Sequence, residues 1–88
     1  MQDKLLSLVV LSGRAEEARL GLAISARAVP LATGRNRIKR LARESFRAQH
    51  AALPAADLVL QARSGAGTAS GPELRSALER LWQKVREL

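Results

Sequence analysis

The apolar positions of this chain fall into five groups, set apart by polar, Gly-bearing or Pro-bearing stretches. The first, "KLLSLVVL" from Lys4 to Leu11, is a short run that predicts a strand. "SGRAEE" (Ser12–Glu17), with Gly13, predicts a polar turn. "RLGLAIS", Arg19 to Ser25, alternates: Leu20, Leu22 and Ile24 share one face, Gly21 and Ala23 the other. It predicts a second strand, paired with the first as an antiparallel hairpin. Pro30 discourages helix at Val29 but suits a first helical turn, whose N–H groups are unpaired anyway. A helix is expected from about Leu31 to His50, although Gly34 inside it costs about 1 kcal/mol relative to Ala. Pro54 closes that segment.

"DLVLQAR", Asp57 to Arg63, predicts a third strand with Leu58, Leu60 and Ala62 on one face. "SGAGTASG" (Ser64–Gly71) reads as a flexible connector. A last helix then begins with Ser70 as cap, Pro72 in the first turn and Glu73 three residues on, the spacing of a capping box. Leu74, Ala77, Leu78, Leu81, Val85 and Leu88 recur at helical spacing as one apolar stripe. The order strand, strand, helix, strand, helix predicts an α/β (α+β) two-layer sandwich with a mixed sheet. The long helix is then the crossover between two strands that can run parallel.

Length and composition narrow this picture. Eighty-eight residues make a single domain, 1–88, and 47% of them are apolar, enough for a packed core. Phe46 and Trp82 are the only aromatic residues. The chain has no cysteine, so it holds neither a disulfide nor a thiolate metal site, which suits a reducing, cytoplasmic setting. No apolar run approaches the roughly 18 residues of a membrane span. The opening "MQDKLLSLVVLSG" has one Lys and no small-residue cleavage pattern, so it is read as strand rather than signal peptide.

Charge changes the picture most. The formal net charge is +7, and the stretch "GRNRIKRLARESFR", Gly34 to Arg47, holds six basic residues against one acid. On a helical wheel Ile38, Leu41, Ala42 and Ser45 form the buried stripe, while Asn36, Lys39, Arg40, Arg43 and Arg47 share the opposite side. Arg35 and Phe46 border that side, and Arg37 lies apart on the far flank of the stripe. Arg35–Lys39, Lys39–Arg43 and Arg43–Arg47 are like-charge pairs at i and i+4, each destabilising by a few tenths of a kcal/mol. Only Arg40–Glu44 is an attractive pair at that spacing. A merely solvated helix face would mix the signs. A phosphate backbone accounts for the excess, because each cation that neutralises a phosphate releases counterions, and Arg offers a planar fork to phosphate and base edges. The expected partner class is therefore nucleic acid. An anionic membrane ranks last, because the side opposite the charges must cover a sheet.

"RNRIKRLARESFR" closely resembles the signature of the bacterial ribonuclease P protein subunit, carried by Arg35, Asn36, Arg37, Lys39, Arg40, Arg43, Glu44, Phe46 and Arg47. "RLGLAIS", "LPAADLVLQAR" and "LRSALERLWQKV" resemble the family's flanking strands and closing helix. The resemblance implies a ribosomal protein S5 domain 2-like fold with a left-handed βαβ crossover. It implies a non-catalytic partner of a catalytic RNA that, with magnesium, removes the 5′ leader of precursor tRNA. Arg35, Asn36, Arg37, Lys39, Arg40 and Arg43 become candidates for contact with the catalytic RNA, with Arg47 beside them. Ser25 and Arg27 match positions near the family's leader cleft on the sheet. Where the family has two consecutive Lys after that strand, this chain has Ala26 and Arg27. The family also places a helix and a strand, with cleft-lining aromatics, ahead of the equivalent of "KLLSLVVL". This chain is expected to lack them, to expose apolar sheet surface and to self-associate.

The remaining candidates read as structure. His50, a lone His, is expected to act as a cation at the helix end rather than as a metal ligand. Phe46 is expected to pack, and Trp82 to lie at the edge of the core. Asp57, Glu44 and Glu73 are taken as surface or capping carboxylates. No nucleophile–base constellation is present, and the protein alone is expected to bind no cofactor or metal. The alternative function is a ribosomal or assembly-type RNA-binding protein of the same fold.

Overall fold

The structure is a computed structural model and describes residues 1–11 and 15–88. Its elements are β1 (Leu6–Leu11), β2 (Arg19–Ala23), α1 (Ala32–Gln49), β3 (Asp57–Ala62) and α2 (Gly71–Arg86). Single 3-10 turns span His50–Ala52 and Ala66–Thr68. The expected turn after β1 falls partly on Ser12, Gly13 and Arg14, outside the described residues.

The sheet order is β1-β3-β2, with β3 antiparallel to β1 and parallel to β2. The expected β1–β2 hairpin is therefore not formed, because β3 lies between the two strands. Leu58 and Leu60 of β3 are fully buried at the centre of the sheet, as are Leu6 and Leu8 on its β1 edge under α2. Residues 12–18 also have ample reach, since stepping over one strand spans about 9.6 Å, twice the usual strand spacing. The mixed sheet and the α1 crossover between parallel β2 and β3 match the expected architecture.

One face of the sheet, with Leu6, Leu8, Leu58 and Leu60, is buried under both helices. From α1 it meets Ile38, Leu41 and Ala42, and from α2 Leu74, Ala77, Leu78, Leu81, Trp82 and Val85. Trp82 is fully buried rather than at the core's edge, and its indole N–H donates to Ser45 Oγ at 2.7 Å. That bond satisfies the ring's one polar atom and ties α2 to α1. Leu88 leaves the expected stripe and is 74% exposed, because α2 stops at Arg86.

The opposite face is open. Val9 and Leu11 of β1 are 43% and 54% exposed there. Across β2 and β3 on the same face, Arg19 and Asp57 form a two-pronged ion pair at 2.7 and 3.1 Å. Met1 and Gln2 fold back on the outer edge of β1: Leu8 N–H donates to Met1 O at 2.8 Å, and Gln2 bridges Ser7.

The Gly-rich segment is built into the fold rather than being a free connector. Ala66 and Ala69 are buried, and Gly65 takes a left-handed φ of 99° that opens the turn. A Cβ on Gly67 or Gly34 would stand 3.2 or 3.1 Å from Val29 Cγ1. Glycine at both positions thus lets this turn and the start of α1 close on Val29.

Candidate nucleic-acid interface

Helix α1 begins without a side-chain cap. Its N-cap is Leu31, whose side chain has no oxygen to accept an amide hydrogen, and its first turn holds no acid. Arginine bonds to backbone carbonyls hold it instead, two local ones from Arg35 and a tertiary one from Arg37. Arg35 Nη1 donates to Val29 O at 2.9 Å and Pro30 O at 3.0 Å. Arg37 Nη2 donates to Ala69 O at 2.7 Å, strapping α1 to the Gly-rich turn. Both side chains are half-buried. Two residues expected only as RNA contacts therefore also secure the end of the helix, and replacing Arg37 with Ala disturbs the fold as well as the surface.

The other α1 residues predicted for RNA contact are freer. Asn36, Arg40, Arg43 and Arg47 are exposed and Lys39 is half-exposed. Among the described residues the ion pairs are Arg19–Asp57 and Arg80–Asp3, and His50 Nε2 stands 3.7 Å from Glu17, so none of these cations has a carboxylate partner. The expected Arg40–Glu44 pair is absent from that set. The result is a ridge of uncompensated positive charge on a rigid element.

At the far end of the ridge, Phe46 packs edge-on against Trp82 at 5.8 Å and against His50 at 5.4 Å, as core support rather than as a free stacking surface. His50 follows the helix directly, with Nε2 2.9 Å from Ala18 O and 3.7 Å from Glu17 Oε2. Asp57 is taken up by Arg19 and Glu73 by the capping box, so the carboxylates are not brought together. Among the described residues no three or more of the His, Cys, Asp and Glu side chains form a metal-binding group.

Ser25 and Arg27 lie beyond the end of β2, in the turn leading to α1, and both are exposed. Ser25 shapes that turn: its Oγ accepts Ala28 N–H at 3.2 Å and its carbonyl accepts Val29 N–H at 3.0 Å. Sequence reasoning missed the cleft this turn forms with the Gly-rich turn. The signal that could have found it was the pair Ala66 and Ala69, three apart in a segment otherwise read as flexible.

The family model described as Ribonuclease P matches residues 1–86. This chain belongs to the ribonuclease P protein family. Among its relatives, the ribonuclease P protein component of Pseudomonas putida is 43% identical over 70 residues, 80% of this chain and 52% of the relative. That of Vibrio parahaemolyticus is 38% identical over 79 residues, 90% of this chain and 67% of the relative. The chain thus spans about half the length of the Pseudomonas relatives. The RNase P protein of Staphylococcus aureus superimposes with a TM-score of 0.87 at 24% identity, over 96% of this chain and 77% of that one. This likeness establishes a shared fold, that of the ribonuclease P family proteins. No helix among the described residues is long and apolar enough to cross a membrane.

Proposed function

We propose that this chain is the protein subunit of ribonuclease P, which binds the catalytic RNA and assists removal of the 5′ leader from precursor tRNA in the cytoplasm. The observation that carries this reading is the ridge of Lys39, Arg40, Arg43 and Arg47, cations on one helix with no acidic partner among the described residues. Family membership supports it. Asn36 and the free N–H groups of Arg35 and Arg37 extend the ridge toward the start of α1. Ser25 and Arg27 are the candidate contacts to the leader. The chain supplies phosphate neutralisation and positioning, while magnesium and the cleavage chemistry belong to the RNA. The open sheet face, with Val9 and Leu11, supports a secondary tendency of the chain to pair with itself.

The test is precursor tRNA cleavage by the catalytic RNA at low magnesium, with and without the chain. Restored cleavage is expected, together with RNA binding that weakens steeply as salt rises, as for about four to six neutralised phosphates. Salt-dependent RNA binding without restored cleavage would instead describe an RNA-binding protein with no part in tRNA processing.

A further inference from the structure

Between the turn that precedes α1 and the Gly-rich turn lies an open cleft of about 530 Å³. That size falls in the range of about 300–1,000 Å³ usual for small-molecule sites. Its walls include Val29, Pro30, Leu31 and Gly67, with Thr33 at the rim, and they are largely apolar. Leu31 is 72% exposed. Among the described residues the cleft's one charged lining residue is Arg37, pinned by its bond to Ala69 O, and its remaining guanidinium N–H groups make no hydrogen bond to protein. No acid among those residues lines the cleft, and its mouth opens at the start of the cationic helix.

We infer that this cleft takes one unpaired nucleobase of the RNA held by α1, with Arg37 meeting the base or its own phosphate. The inference rests on the RNA-binding reading and specifies what the start of α1 recognises. The charge argues for this occupant. An apolar slot floored by a single cation and lacking acids suits a flat π-system attached to an anion, because guanidinium planes and apolar walls both stack on bases. Helical RNA cannot enter such a slot, so the recognised element is a bulge, loop or single-stranded joint.

Two measurements test this. Thr33→Trp and, separately, Thr68→Trp place a bulky ring at the cleft while leaving the Lys39–Arg47 ridge untouched. Each variant that keeps the wild-type circular dichroism spectrum and melt is expected to bind the catalytic RNA about tenfold more weakly, the order of one unstacked base. The salt dependence is expected to lose no more than about one phosphate's share of its slope, since only the Arg37 contact can go with the base and the ridge is retained. Affinity within twofold of wild type in a folded variant overturns the cleft assignment and leaves the ridge reading standing. Wild-type binding that ignores salt overturns both.

On the wild-type chain, adenosine 5′-monophosphate is expected to shift the amide resonances of Gly34, Gly65, Gly67 and Thr68 more than ribose 5-phosphate does. Equal shifts would mean a phosphate site only, and no shift would mean no site. Shifts that follow protein concentration without nucleotide would assign the cleft to a second copy of the chain. Each of these three results overturns the inference.

Discussion

The two helices solve the same packing problem in opposite ways. Helix α2 is stabilised by its own sequence. Ser70 Oγ accepts Glu73 N–H at 3.2 Å while Glu73 Oε1 accepts Ser70 N–H at 2.9 Å, Pro72 sits in the first turn, and Lys84 and Arg86 close the last. Its apolar stripe delivers Trp82 to the centre of the core. Helix α1 shares only a basic residue in its last turn, Arg47, and lacks the cap, the acid and the proline of the first. It starts at an uncapped Leu31, carries Gly34 in its first turn and stacks like charges at i and i+4. Arg35 ties it to the turn just before it, and Arg37 and the Trp82–Ser45 bond hold it from outside. One helix is thus scaffold and the other, on the proposed function, working surface. Local stability is given up where unpaired charge is displayed, and the neighbouring elements compensate.

The most severe test of this division is Trp82→Ala. It should destabilise the domain by about 3–5 kcal/mol, the usual loss for a buried Trp. A thermal melt checks this, and so small a domain has little stability to spare. The counterpart on α1 is the triple variant Arg40→Glu, Arg43→Glu, Arg47→Glu. It should cut affinity for the catalytic RNA by about 100-fold or more in a low-salt titration, since each charge-assisted hydrogen bond removed is worth up to a few kcal/mol. Its melting temperature should stay close to wild type, because these side chains hold nothing together within the protein. If the triple variant unfolds, or if Trp82→Ala changes RNA affinity without changing stability, the division between scaffold and surface is wrong.

Caps give a smaller and opposed pair of effects. Ser70→Ala should cost about 1 kcal/mol, whereas Leu31→Ser should stabilise by a similar amount by supplying the oxygen α1 lacks. Denaturant midpoints measured side by side decide whether α1 is under-capped as described.

Weakest of all should be an acid loosening confined to α2 and the N-terminal segment. The capping-box bonds to Ser70 hold the Glu73 carboxyl below its ordinary value of 4.5. The two-pronged bond from Arg80, at 2.7 and 3.1 Å, holds Asp3 below its ordinary 3.8, against a burial that pushes the other way. Both folded-state values are depressed, so this stabilisation is fully present above the ordinary values and is lost as pH falls through the lowered ones. Hydrogen exchange should show the first turn of α2 and residues 1–3 losing protection below about pH 4, ahead of the start of α1. The straps at the start of α1 run from Arg to backbone carbonyls and involve no carboxylate. Asp3→Asn should flatten the acid limb, and equal acid loosening of both helices would contradict the contrast.

Local chemistry, which needs no tertiary partner, was legible in the sequence. The alternation of Leu20, Leu22 and Ile24, the Ser70–Glu73 capping box, the stripe from Leu74 to Val85 and the one-sided charge of α1 all follow from residue type and spacing. The family was legible too, because "RNRIKRLARESFR" combines a surface pattern with a core pattern on one helix. The remaining features depend on competition between distant segments, which the folded chain alone resolves. β3 stands between β1 and β2, a pairing of distant segments that strand periodicity does not specify. Trp82 went fully inside because Ser45, on another helix, could accept its N–H. Arg35 and Arg37 became straps, and the Gly-rich segment one wall of a cleft, because Gly34 and Gly67 let two turns close on Val29. Spacing along a chain encodes periodicity, whereas carbonyl partners and close approaches arise only once the chain has chosen its neighbours.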